Sequence, residues 1–278
     1  MKKSIYVGIV VLLGLPFIFT ACFRNPYKAT NKKHTHQIDS LTDIAALHNN
    51  GGIFSDSVKQ PTYWVGSTNF GLRKPNFVVI HHTAQNSCEQ TLRTFTLERS
   101  KVSAHYVICK DGTIHHMLND YMRAWHGGIS KWGNNSDLNS SSIGIELDNN
   151  GFEPFDSAQI NSLLLLLAQL KENYKIPDAN FIGHADIAPK RKVDPNIQFP
   201  WILLAQKGYG LWFEPNEQYS LPESISIPFA LAMVGYDIKD TTAALLAFKR
   251  HFRADSTAVV TENDRSVLFQ LIQNKLSN

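Results

Sequence analysis

His81, His184, Asp194 and Lys192 are carried by two short stretches, FVVIHHTA at 77–84 and FIGHADIAPKRKVDP at 181–195. These residue types suit a hydrolytic metal site. A zinc hydrolase holds its ion with three protein ligands and leaves one position open, where the pKa of a water falls from ~16 to roughly 7. His81, His184 and Asp194 supply that ligand set. Lys192 and Asp194 are two residues apart in a loop bounded by Pro189 and Pro195, so in an extended conformation their side chains point the same way and the cation can stand beside the ion.

The surrounding pattern says which elements must hold these groups. Residues 76–82 read as a strand, with Phe77, Val79 and His81 on one face and Val78, Ile80 and His82 on the other, which turns His82 away from the ligand set. A helix is expected over 89–99. Strands at 104–109 and 113–117 flank the Lys110-Asp111-Gly112 turn and form a hairpin. SIGIEL at 142–147 is a fourth strand, whose Glu146 shares a face with Gly144. A carboxylate on a mostly buried strand costs free energy unless it is paired; on a half-exposed sheet it would simply face solvent. A helix over 157–174 carries Ile160, Leu163, Leu164, Leu167 and Leu170 at helical spacing behind Asp156 as its cap. A short strand, 180–183, leads into His184. Strands interleaved with helices predict an α/β layer with helices on a central sheet. Beyond Trp212 a Pro- and Glu-containing joint, 214–223, precedes three expected helices at 228–233, 241–252 and 262–275.

The N-terminus sets a compartment. Lys2 and Lys3 precede an apolar run from Ile5 to Phe19, shorter than the ~20 residues that cross a bilayer as a helix. Residues 1–21 therefore read as a secretory signal. Its closing Phe-Thr-Ala-Cys, residues 19–22, resembles a lipobox with Phe19 in the usual Leu position, which implies lipidation of Cys22 and membrane attachment; an ordinary cleaved signal followed by a chance Cys is the alternative. Residues 22–59 are polar and read as a tether, and its His34 and His36 as solvated side chains. The formal charge is only +3 with 43% hydrophobic residues, and the basic residues are scattered, so nucleic acid is excluded as a partner. Cys88 and Cys109 remain; in an oxidising compartment they could pair, but the expectation is buried thiols.

VVIHHTA, SAHYVI, AWHGG, SIGIELDN and FIGHADIAPKRKVDP, in that order, resemble the N-acetylmuramoyl-L-alanine amidases of the type 2 amidase and peptidoglycan-recognition-protein superfamily, and most of all its lipoprotein branch. The resemblance runs from about Lys74 to Trp201. It implies a central mixed β-sheet flanked by helices, with His81, His184 and Asp194 as zinc ligands, Glu146 as general base and Lys192 as the partner of the developing oxyanion. The implied reaction is hydrolysis of the lactyl amide between N-acetylmuramic acid and L-alanine in peptidoglycan or its fragments. Tyr106 matches a tyrosine that assists catalysis in other members or else only walls the site, Trp125 reads as a groove or core aromatic, His126 as a substrate contact or a structural His, and Asp186 either orients an imidazole or caps its loop. GYDIKDTTAALLAFKRHFR resembles the three-helix peptidoglycan-binding domain; a helical stabilising appendage is the alternative. The expected organisation is thus a signal at 1–21, a tether at 22–59, a zinc amidase domain at 60–208 and a helical wall-binding-like domain at 209–278. The chain is expected to act as a monomer, anchored in the cell envelope and facing the periplasm, at the outer membrane rather than the inner. A silent wall-binding protein is the rival reading, and a periplasmic metal carrier a more distant third.

Overall fold

The computed structural model describes residues 25–46, 72–214 and 219–277. The signal segment, Cys22 and residues 47–71 lie outside the described residues. Two compact units divide the chain at Ser67. The first contains α1 (Lys28–Ala46), an exposed helix in which Thr35, Ser40 and Thr42 each donate to the carbonyl four residues earlier. The tether expected here thus includes 19 residues of helix. Its polarity hid the element: it has no apolar stripe, but neither Pro nor Gly interrupts it.

In the second unit the elements follow in the order β1 (Phe77–His82), α2 (Cys88–Thr96), β2 (Tyr106–Ile108), β3 (Ile114–His116), α3 (Leu138–Ser141), β4 (Ser142–Leu147), α4 (Ser157–Tyr174), β5 (Phe181–Gly183), α5 (His184–Ile187), α6 (Trp201–Gln206), α7 (Ile227–Val234), α8 (Thr241–Arg253) and α9 (Glu262–Ser277). The five strands form one sheet in the order β3-β2-β4-β1-β5. Pairings β2·β4, β4·β1 and β1·β5 are parallel and the β2·β3 hairpin is antiparallel, so the sheet is mixed. Parallel strands need both faces covered, and every residue of β4 is buried. Asp156 occupies the α4 N-cap position as expected, but its side chain makes no capping hydrogen bond.

The faces are covered by different parts of the chain. Val78, Ile80, Ile143, Ile145 and Leu147 pack with the Ile160, Leu163, Leu167 and Leu170 stripe of α4. Val79 and Ile182, on the opposite face, join a cluster with Leu231 of α7, Ala244 and Phe248 of α8 and Leu271 of α9. The three helices expected after the joint are all present, and they share their core with the sheet. Tyr236 and Phe248, which carry much of the resemblance to a wall-binding domain, are turned inward at 3% and 0% exposure.

Cys88 and Cys109 form a disulfide with their Cα atoms 5.3 Å apart, which corrects the expectation of free thiols. The reason is tertiary: α2 packs on β2, and this brings the first residue of the helix to the residue that follows the strand.

Two predictions concern stability. The bridge closes a 21-residue separation, so Cys88→Ser is expected to cost about 3 kcal/mol by the chain-entropy relation, read as a lower denaturant midpoint. Unchanged midpoints with and without reductant would show that the bridge contributes nothing. His105 is buried between β4 and Met122: its Nδ1 accepts from the Gly144 N–H at 3.0 Å and its Nε2 donates to Met122 O at 3.0 Å. Burial, with the nearby Arg73 acting in the same direction and the Met122 bond opposing, pushes its pKa down to about 4 from 6.5. An unfolded chain therefore takes up this proton below about pH 6.5 while the folded one resists until about pH 4, and stability falls as pH drops through that window, by on the order of 3 kcal/mol. His105→Asn is expected to flatten that slope in pH-dependent denaturation; an equal slope would remove His105 from the account.

Candidate active site

Sheet register begins the assembly of the site. Parallel pairing sets His81 of β1 directly opposite Glu146 of β4. On the other side, β1 pairs with β5 as far as Ile80 opposite Gly183, so the next residue, His184, leaves the sheet level with His81. A β-carbon on Gly183 would lie 2.9 Å from Pro195 Cδ and 3.0 Å from Trp201 Cζ2; glycine lets the loop bearing Asp194 close over the strand end. The Ala185 N–H donates to the Asp194 carbonyl at 2.7 Å, tying that loop to α5.

Three ligand atoms converge there. His81 Nδ1 lies 2.8 Å from His184 Nδ1 and 3.1 Å from Asp194 Oδ2, and His184 Nδ1 lies 3.0 Å from the same oxygen. All three side chains are buried. His184 Nε2 stands 3.2 Å from the Gly127 carbonyl, which can only accept, so that nitrogen carries the proton and Nδ1 presents a lone pair. Burial, reinforced by His184, pushes the His81 pKa down to about 4, which keeps its ring neutral at neutral pH. Lone pairs and a carboxylate within hydrogen-bond distance of one another repel unless a cation stands among them. The donor set, His, His and carboxylate, is the kind that holds zinc. A second cluster that could in principle take a metal, Cys88, Cys109 and His115, has both sulfurs committed to the disulfide.

Glu146 completes the arrangement. Its Oε1 is 3.9 Å from His81 Nδ1, and its Oε2 is buried with no hydrogen-bond partner. Burial first, and then the Asp194 charge, push its pKa well above the ordinary glutamate value, with Lys192 opposing. A carboxyl with an uncommitted oxygen beside three candidate metal ligands has the properties expected of a general base. Lys192 is half-buried, and its charge bears on Glu146 and His81 alike.

Other expected site residues fall elsewhere. His82 lies on the opposite face, over Gly151, as strand alternation requires. Tyr106 pairs in register with Ile145, so it faces the α4 side of the sheet, away from Glu146; its hydroxyl donates to Asp120 at 3.0 Å. That placement corrects its expected role at the substrate. Trp125 is half-exposed on the loop before His126 and is free to serve as an aromatic wall. His126 is buried and directs its ring nitrogens to His81 at 3.0 Å and Ser142 at 3.2 Å, so it touches a ligand where contact with substrate was expected. Asp186 caps its own loop, accepting from the Gly183 N–H at 2.7 Å, and binds neither ligand imidazole.

Sequence reasoning missed the rest of the Asp186 cluster. Tyr236 OH donates to Asp186 at 2.8 Å, and His251 Nδ1 lies 2.7 Å from it with its ring stacked on Trp201. Helix α8 and the turn before it thereby brace the helix that begins with His184. The signal available was the Gly-Tyr turn, but nothing local named Asp186 as its partner.

With this geometry in view, the relatives of the chain are informative. Residues 71–197 match the family described as N-acetylmuramoyl-L-alanine amidase. The N-acetylmuramoyl-L-alanine amidase AmiD of Escherichia coli is 35% identical over 209 residues, covering 63% of this chain and 74% of the relative. The chain belongs to the type 2 N-acetylmuramoyl-L-alanine amidase family. Another family member, the 1,6-anhydro-N-acetylmuramyl-L-alanine amidase AmpD of Haemophilus influenzae, is 41% identical over 102 residues, 36% of this chain and 55% of the relative. Among solved structures, the E. coli AmiD complex with the substrate anhydro-N-acetylmuramic acid-L-Ala-D-gamma-Glu-L-Lys superposes with a TM-score of 0.68 at 29% identity, over 78% of this chain and 97% of that one. AmpDh3 of Pseudomonas aeruginosa gives 0.68 at 26% identity, over 78% and 98%. The mixed sheet flanked by helices is this amidase fold.

Tyr236→Phe deletes a single hydroxyl and leaves a buried Asp186 oxygen without its donor. The expected cost is about 1–3 kcal/mol, measured by calorimetry as a lower Tm. An unchanged Tm would mean that Asp186 does not depend on the Tyr236 hydroxyl.

Proposed function

We propose that this chain is a zinc-dependent hydrolase that cleaves the amide between N-acetylmuramic acid and L-alanine, releasing the stem peptide from glycan strands or from their turnover fragments. The observation that carries the reading is the convergence of His81 Nδ1, His184 Nδ1 and Asp194 Oδ2 beside a buried carboxyl with one free oxygen. Zinc in this site would supply Lewis-acid polarisation of a carbonyl and a more acidic water. Glu146, with one oxygen free of protein partners, would take the proton of the attacking water and return it to the departing alanine nitrogen. Lys192 would face the negative charge that develops on the carbonyl oxygen. Trp125 would border the cleft. The names of the relatives, AmiD and AmpD amidases with one solved on an anhydro-muropeptide, support this choice of bond and substrate.

The setting belongs to the same proposal. The signal-like segment and Cys22 would give a lipid-anchored, periplasm-facing enzyme at the outer membrane, with residues 22–59 as its tether and α1 within it. The C-terminal helices would hold the catalytic layer in shape, and any grip on wall polymer would come from their outer surface, since the residues behind the wall-binding resemblance point inward.

Purified full-length protein loaded with zinc is expected to release muropeptides with a new N-terminal alanine, identified by mass spectrometry, and to stop when a chelator is added. Sedimentation with sacculi but no release would replace the enzyme by a wall-binding protein. Glu146→Gln should keep its zinc and lose about 10²–10⁴-fold in kcat, whereas Asp194→Ala should lose the metal itself. Zinc loss in the Glu146 variant would contradict its assignment as base.

A further inference from the structure

The AWHGG loop orients both imidazole ligands, and a chain of hydrogen bonds fixes which nitrogen of His81 is free. The chain can be traced from an atom that has no proton to give. Ser142 Oγ contacts the Leu138 carbonyl oxygen, so the hydroxyl proton of Ser142 must point there. Ser142 Oγ is then an acceptor towards His126 Nε2, 3.2 Å away. His126 consequently carries its proton on Nε2 and offers a lone pair at Nδ1. His81 Nε2 lies 3.0 Å from that Nδ1, so it must be the donor, and His81 Nδ1 is left with a lone pair directed at the ligand cluster.

We propose that His126 is a positioning residue for His81, selecting the tautomer that presents Nδ1 to the metal. The inference rests on the zinc reading of the site for its consequence, although the hydrogen-bond chain stands without it. The rest of the loop is built for the task. Asn139 Oδ1 accepts from the backbone N–H of both His126, at 3.1 Å, and Gly127, at 2.7 Å. Gly127 gives its carbonyl to His184 Nε2 at 3.2 Å and to Arg191 at 2.9 Å. One dipeptide thus holds His81 through a side chain and His184 through the backbone. Gly144, in the middle of β4, makes the space: a β-carbon there would lie 2.4 Å from His126 Cγ, so any larger residue would drive the ring off His81. Partners that orient metal-bound histidines set ring angle and proton position, and their loss typically weakens metal binding 10–100-fold.

His126→Leu keeps approximate bulk and removes the acceptor; His126→Asn restores an acceptor at the position of Nδ1. Zinc affinity of the full chain, measured by competition with a chromophoric chelator, is expected to weaken about 10–100-fold in the Leu variant and to return most of the way in the Asn variant. A residue that only fills space would show the reverse, with the Leu variant binding zinc as the wild type does, and that result would overturn the proposal. Nitrogen-15 NMR of the metal-free wild type provides a second reading that needs neither variant to fold. It should find His81 protonated at Nε2, and a proton on Nδ1 would sink the inference. Failure of the wild type to bind zinc would remove the metal reading and leave the NMR result to decide the hydrogen-bond chain.

Discussion

The position of β1 between β4 and β5 is the constraint on which the site depends. Side chains alternate along a strand, so a slip of one residue against β4 would send Glu146 to the face opposite His81, and a slip against β5 would carry His184 off its level. The register is held from both sides. One face of these strands is seated on α4 and the other on a cluster that includes α7, α8 and α9, and neither can be shifted without exposing apolar residues to water. The groups of the candidate site come from the carboxyl ends of parallel strands and the loops that follow, where α/β sheets commonly place their sites.

That scaffold holds groups which disfavour one another. His81 is a neutral imidazole pressed on His184, and Glu146 is a buried carboxyl with an oxygen that no protein group serves. Each arrangement costs free energy in isolation, and each is what a metal and a water would require. The groups that orient the ligand imidazoles end in backbone carbonyls, Gly127 O for His184 and Leu138 O through Ser142 and His126 for His81. Carbonyls cannot change protonation, so the direction of the ligand lone pairs is set by fixed features of the fold.

The C-terminal helices belong to this support. Tyr236 and His251 meet Asp186 two residues beyond His184, and Trp132 of the loop before α3 packs edge-on against Tyr236. The motif that resembles a wall-binding unit also packs beneath the candidate site. The same residues can serve either purpose, since a Gly-Tyr turn before an amphipathic helix buries well against any apolar layer.

What the sequence alone determined is whatever depends on neighbours a few residues away. Alternation separated His81 from His82, helical spacing located α4, the turn at 110–112 located the hairpin, and the ordered motifs pointed to the family and its ligand triad. Only the tertiary structure decided what depends on elements meeting across long separations. Register put Tyr106 on the wrong face for catalysis, the packing of α2 on β2 joined Cys88 to Cys109, and the crossing of the AWHGG loop over β4 turned His126 from a presumed substrate contact into a partner of His81. The physical reason is common to these cases: a hydrogen bond or a disulfide is decided at a distance of a few ångströms, and residues 14 to 113 apart in the chain reach that distance only once the sheet is closed.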